Sequence, residues 1–183
     1  VATLAMCMTV LCWVGFFTPF VLRAPHWQKR KSVVASKATA VGILFETAGI
    51  TLAWIVRAPQ RTTVPELAAG TAFGALGAAL AWWSVKHLGR QFRVQAGLWE
   101  DHELVRSGPY AIVRHPIYAA LLCELIATIF MLTAWPWWIL AIVLFLIGTE
   151  VRVHVEDALL ASRFGSQFEQ YRRSVNAYVP FIR

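Results

Sequence analysis

The chain has 183 residues, of which 58% are hydrophobic and 15% charged, with a mean hydropathy of +0.56 and a formal net charge of +7. This balance lies outside the usual range of a soluble domain and inside that of a helical membrane protein. The basic residues cluster by loop rather than along one amphipathic face, which argues against a nucleic-acid partner, and no HExxH or CxxC spacing points to a metal.

The first apolar run, Ala2 to Leu22, carries no charge and is long enough for a bilayer core of roughly 30 Å, which takes about 20 helical residues to cross. It exceeds a signal-peptide core and no basic segment precedes it, so it reads as a mature helix. Arg23, Lys29, Arg30, Lys31 and Lys37 crowd the first connection. The second run, Ala38 to Val56, is apolar apart from Glu46, and the connection after it offers only Arg57 and Arg61. The third, Leu67 to Val85, is free of charge, with Gly70, Gly74 and Gly77 at helical spacing, a pattern that lets a neighbouring helix approach closely.

Beyond a polar segment, Ile117 to Leu132 and Trp135 to Thr149 read as two shorter helices joined by a turn at Thr133 to Pro136. About 15 residues at about 1.5 Å each cover only about 23 Å, so these helices either extend past the apolar core or form a hairpin that thins it. After Thr149 the pattern turns charged while keeping helical periodicity, which predicts that the fifth helix continues into the cytoplasm until Gly165 ends it. The expected fold is therefore all-α and polytopic, with about five transmembrane helices in one domain. Residues 1–85 supply three N-terminal spans and 86–183 a more polar half. The excess of Lys and Arg in the first loop, central segment and tail places these in the cytoplasm and the N-terminus outside.

The segment Leu104 to Tyr118, LVRSGPYAIVRHPIY, joins two X-Pro steps to Arg106, Arg114 and His115 at the edge of an apolar run. Proline removes a backbone donor and disfavours helix in the residue before it, so an irregular loop with exposed polar groups is expected. Tyr110 and Tyr118 add hydroxyls beside His115. Arg152 and Glu156, at i and i+4, face the same side one or two turns beyond the last span. Each feature alone has a plain reading, as an interfacial histidine or a helix-surface ion pair. Together they compose a candidate polar site roofed by loop and tail. Glu46 and Glu124 lie within apolar spans, where an ionised carboxylate is costly and a functional role is the default. Cys7, Cys12 and Cys123 fall inside apolar runs without ligand spacing and read as packing residues.

Gln95, His102 to Val105, Ser107 to Tyr110, Arg114 to Tyr118, Arg152 with Glu156, and Phe164-Gly165 through Tyr171 to Pro180-Phe181-Ile182 together resemble the isoprenylcysteine carboxyl methyltransferase family and the related membrane phospholipid methyltransferases. The resemblance covers residues 90 to 183; the first three spans match only in being apolar. It implies a multi-span enzyme that uses S-adenosylmethionine in a cytoplasmic pocket, formed by the loop before span four and the C-terminal helix, to methylate a lipid or lipidated acceptor arriving from the bilayer. Carried over residue by residue, Gln95, His102, Glu103, Leu104, Val105, Tyr110, His115, Pro116, Ile117, Tyr118 and Glu156 hold the cofactor, and Arg152 is the acceptor-side arginine.

Departures from the family pattern are mild: Ala120 replaces a usual glycine, Asp157 the second acid of a Glu-Glu pair, and Phe168 a tyrosine. If the acceptor is a carboxylate, Arg152 can hold it by charge-assisted hydrogen bonds. If it is a phospholipid amine, a base must take its proton, and Glu124 is the intramembrane candidate. The resemblance therefore implies carboxyl O-methylation of an isoprenylcysteine-like substrate first and phospholipid N-methylation second. A non-catalytic membrane scaffold or lipid-binding protein is the alternative without chemistry. The expected location is a bacterial or archaeal inner membrane, with no metal and no nucleic acid as partners.

Overall fold

The computed structural model describes residues 1–23, 32–35, 38–57, 62–91, 97–99 and 103–180. Among the described residues, six α-helices run in chain order: α1 (Ala2–Arg23), α2 (Ala38–Ile55), α3 (Val64–Leu88), α4 (Pro116–Leu132), α5 (Trp138–Phe164) and α6 (Ser166–Ser174). Two short strands, β1 (Ser32–Ala35) and β2 (Gly97–Trp99), pair antiparallel, which adds a small ribbon to the all-helical expectation. It ties the connection after α1 to the segment after α3.

Helix boundaries follow from local chemistry. α3 begins in a capping box: the Thr63 side chain accepts from the Glu66 N–H, and the Glu66 carboxylate accepts from the Thr63 N–H at 2.7 Å, with Pro65 in the first turn. Its end is marked by Gly89 at φ +53°, and α5 ends at Gly165, φ +51°, a conformation that L side chains rarely adopt. The predicted stop at Gly165 is therefore present. α5 is unbroken over 27 residues, so the fifth apolar run and its charged continuation form one helix of about 40 Å.

Among the described residues, four helical segments are long and apolar enough to cross a membrane: α1, α2, α3 and Trp135–Phe164, whereas α4, at 17 residues, is shorter. The two final helices thus resolve differently: α5 extends beyond the apolar core and α4 does not. α4 packs against α1, α2, α3 and α5, and buries Ala120, Glu124, Leu125, Thr128 and Met131 among others. Surrounded by protein, it is freed from matching the lipid thickness on its own. The outer helices instead turn large apolar side chains outward, including Leu11 and Val14 on α1, Leu44 on α2, Leu76 on α3 and Ile139 on α5. Such faces are unfavourable against water and natural against hydrocarbon. The chain is an integral membrane protein.

Glycines permit close helix contacts. A Cβ added at Gly77 of α3 would lie 2.8 Å from Glu124 Oε1 and 2.9 Å from the Ala120 carbonyl of α4. One added at Gly148 of α5 would lie 2.6 Å from the Glu46 nitrogen of α2. Without a side chain these backbones come close enough for dense van der Waals packing, the main source of helix association in lipid. A polar link ties α1 to α4, where Trp13 Nε1 donates to Thr128 Oγ1 at 2.9 Å, and within α4 Thr128 Oγ1 donates to the Glu124 carbonyl at 2.8 Å.

Candidate active site

The segment expected as an irregular loop is more ordered than its prolines suggested. Residues 103–106 are coil, Gly108–Ala111 form a 3₁₀ turn, and α4 starts at Pro116, so Ile117 and Tyr118 belong to its first turn. Both prolines occupy helix starts, where a missing N–H costs nothing and the fixed φ suits the turn. Nor are the Arg114 and His115 peptide groups open to a ligand. Their N–H groups donate to the Asn176 and Ala177 carbonyls at 2.8 and 2.7 Å, so the tail after α6 is zipped onto the turn.

His115 sits between two acids of α5. Its Nε2 is 2.9 Å from Asp157 Oδ1 and its Nδ1 is 3.4 Å from Glu156 Oε2. A protonated imidazole donates to both carboxylates at once. Burial alone would depress the His115 pKa, but hydrogen bonds to Asp157 and Glu156 and the fields of both carboxylates outweigh it and raise it above the ordinary value. The Tyr118 hydroxyl donates to the other oxygen of Glu156. Arg114 Nη2 meets Asp157 Oδ2 at 2.9 Å, and its Nη1 donates to the Val175 carbonyl. Arg114 thus joins the acidic turn of α5 to the tail.

Arg152, one turn before Glu156, has its guanidinium carbon 4.7 Å from the centroid of the Tyr118 ring, and its Nη1 is 2.7 Å from Glu46 Oε2 on α2. Thr149 Oγ1 donates to Glu46 Oε1 at 3.1 Å. The cluster therefore holds three basic groups, Arg114, His115 and Arg152, against three acids, Glu46, Glu156 and Asp157. Near-balanced charge is what makes so many ionisable groups tolerable at low exposure.

Tyr110 packs under this cluster. Its carbonyl accepts from the Tyr171 hydroxyl, while its own hydroxyl is buried without a hydrogen-bond partner among the described residues. Burial first, then the nearby Glu156 charge, raises its pKa well above the ordinary phenol value, so it remains a neutral donor. Tyr178 closes the tail by donating to Glu150 at 2.7 Å. A cavity of about 560 Å³, lined by Arg114, Val153, Asp157, Arg172, Asn176 and Ala177 among others, opens beside the cluster. Small-molecule sites usually fall between about 300 and 1,000 Å³.

Of the residues named from sequence, Tyr110, His115, Tyr118, Arg152 and Glu156 come together, and Pro116 and Ile117 supply the turn that aims them. Glu103 is exposed, while Leu104 and Val105 are half-buried in the preceding coil; no described hydrogen bond or ion pair joins Glu103 to the cluster. Gln95 and His102 lie outside the described residues. Glu124 is fully buried against α3, its carboxylate without a hydrogen-bond partner among the described residues. It stands six residues past Tyr118, about 120° around α4 from it. Three members of the cluster had no cofactor or acceptor role in the predicted set: Arg114, Asp157, noted only as a departure from a family pattern, and Glu46, marked as an acid in an apolar span but not joined to this site. An acid inside an apolar span requires a counter-charge, and that requirement was the signal for Glu46.

The profile of the isoprenylcysteine carboxyl methyltransferase (ICMT) family matches residues 70–162. A protein-S-isoprenylcysteine O-methyltransferase of Schizosaccharomyces pombe is 37% identical over 84 residues, 45% of this chain and 35% of that protein. One of Tribolium castaneum is 35% identical over 92 residues, 49% of this chain and 32% of that protein. The matched segments span about a third of the length of these curated relatives. Arg114, His115, Tyr118, Arg152, Glu156 and Asp157 all fall within the profile match, which covers half of the chain, and on that match the chain belongs to the isoprenylcysteine carboxyl methyltransferase family.

Proposed function

We propose that the chain is a membrane methyltransferase that takes its methyl group from S-adenosylmethionine and delivers it to the carboxylate of a lipidated, isoprenylcysteine-like acceptor entering from the bilayer. The observation that carries this reading is the contact of the Arg114–Tyr118 turn with Glu156 and Asp157, in a chain whose family match includes both. The names of the two relatives supply the acceptor class and the O-methyl product. The loop distribution of Lys and Arg favours a site on the cytoplasmic face of an inner membrane, with α1 starting outside and α4 as a fifth, short span.

The residues fit such a cofactor. Tyr110 offers a buried phenol donor with no described protein partner, and Glu156 has carboxylate lone pairs suited to ribose hydroxyls or an amine. Tyr110, His115, Pro116, Ile117, Tyr118 and Glu156 would hold it, with Gln95, His102, Glu103, Leu104 and Val105 from the preceding segment. When bound, it supplies a methyl group already activated by a sulfonium, so an in-line displacement chiefly needs positioning and exclusion of water. The tail, pinned by Arg114, the backbone bonds of Asn176 and Ala177, and Tyr178, serves the exclusion. Arg152 orients the acceptor carboxylate by charge-assisted contact, and no proton has to be removed because a carboxylate is nucleophilic as it stands.

A phospholipid amine is the second acceptor class, and Glu124 is the observation behind it. Its carboxylate would accept the ammonium proton of such an acceptor. The carboxylate reading is preferred because Arg152 lies in the cluster and Glu124 does not. Calorimetric titration of the detergent-solubilised protein with S-adenosylhomocysteine tests the cofactor assignment and separates it from a non-catalytic scaffold: the wild type binds and His115→Ala does not. No binding to the wild type rejects the enzyme reading.

A further inference from the structure

Glu46 is an acid in an otherwise apolar helix, outside the family match at 70–162, yet it reaches the cluster through Arg152. We propose that Glu46, steadied by Thr149, is a positioning residue that fixes the Arg152 guanidinium for the acceptor, so that α2 helps to set acceptor binding. The inference rests on the reading of Arg152 as the acceptor-side arginine. Its geometry has three parts. One Glu46 oxygen is 2.7 Å from Arg152 Nη1, and the other accepts from Thr149 Oγ1 at 3.1 Å. The Arg152 guanidinium also lies over the Tyr118 ring, 4.7 Å from guanidinium carbon to centroid. A carboxylate on one nitrogen and an aromatic face beneath the guanidinium carbon together define both the place and the tilt of a planar cation that otherwise has a flexible stem.

The backbone is built to permit this reach. Gly148 and Gly42 face each other across α2 and α5; a Cβ at Gly148 would lie 2.9 Å from Glu46 Cγ, and one at Gly42 would collide with Arg152 Cγ. Glu46 and Thr149 are both buried, so the carboxylate is not exchanging Arg152 for water. Placing a carboxylate beside Arg152 also partly offsets its charge. A bound acceptor carboxylate then meets an oriented donor rather than a bare cation that any anion could occupy.

The test uses the full chain in detergent with a prenylated cysteine bearing a free carboxylate as acceptor. Glu46→Gln keeps the shape and removes the charge; Thr149→Val frees the second oxygen. The expected result for Glu46→Gln is an acceptor KM raised about tenfold with S-adenosylhomocysteine affinity within about twofold of wild type. Thr149→Val shifts the acceptor KM in the same direction by less. In an Arg152→Lys background, Glu46→Gln adds little further change, because it acts through the guanidinium. An unchanged acceptor KM in both variants, or a full additional loss in the Arg152→Lys background, overturns the proposal while wild-type turnover still stands. Wild type that neither binds S-adenosylhomocysteine nor transfers methyl removes the functional reading, and the proposal with it.

Discussion

His115 Nε2 and Asp157 Oδ1 stand 2.9 Å apart although 42 residues separate them in the chain. The pair closes the turn before α4 onto the charged part of α5, and Arg114 fastens the same aspartate from its other oxygen. Because His115 also faces Glu156, it shares a buried position with two acids, and its protonation state governs how well the turn and the helix hold together.

A histidine whose folded pKa is raised contributes stability that is fully present below its unfolded pKa, about 6.5, and is lost as pH rises through the folded value. The protein is therefore expected to lose thermal stability as pH climbs above about 6.5. The His115 imidazole should titrate in NMR above that value. Asp157→Asn removes one of the two hydrogen-bonded carboxylates and moves the midpoint down. A His115 midpoint unchanged by Asp157→Asn contradicts this assignment.

Arg114 is the fastener of the tail, bonded to Asp157 and to the Val175 and Arg172 carbonyls. Removing one partner of a buried ion pair costs up to about 3–5 kcal/mol when the other is left uncompensated, and here His115 still partners Asp157, so the cost falls below that range. Arg114→Ala is expected to release the segment after α6, and limited proteolysis should then cut within residues 174–180 well before the wild type is cut. Equal protection of the two proteins would show that the backbone bonds to Asn176 and Ala177 hold the tail unaided.

Gly148 admits the α2–α5 contact and Gly77 the α3–α4 contact. In each case backbone atoms lie within 3 Å of the added Cβ position, 2.6 Å at Gly148 and 2.9 Å at Gly77, so a methyl group forces helices apart. Gly148→Ala and Gly77→Ala are each expected to destabilise the protein by about 1–3 kcal/mol, read as a lower thermal midpoint in detergent. Gly148→Ala should also impair acceptor use through Arg152, whereas Gly77→Ala should spare it.

Much of the architecture was legible before the structure. Hydropathy runs located the apolar helices because crossing a bilayer demands a length of unbroken apolar chain, and Gly165 marked the end of α5 because its positive φ suits glycine. The strip from Tyr110 to Tyr118 and the Arg152–Glu156 pair stood out because polar groups at a lipid boundary need a reason. The pairings were not legible. Glu46 and Arg152 are separated by 106 residues, and nothing local announces such a contact. The β1–β2 ribbon escaped for the same reason. Asp157 was passed over because it neighbours Glu156 on a helix, where adjacent residues point about 100° apart and only the fold shows that His115 spans both. The two prolines misled in a different way: each can break a helix, and here each begins one.

The proposed reaction is methyl transfer to a carboxylate on a lipidated acceptor. Its most direct test is to incubate the purified protein, in lipid–detergent micelles, with methyl-labelled S-adenosylmethionine and a prenylated cysteine, extract the organic phase and treat it with base. Label should appear in that phase and be released by base as volatile methanol, as a methyl ester must be, and should be lost in Glu156→Ala. Absence of transfer by wild type, or label that remains in a lipid headgroup after base treatment, would contradict it.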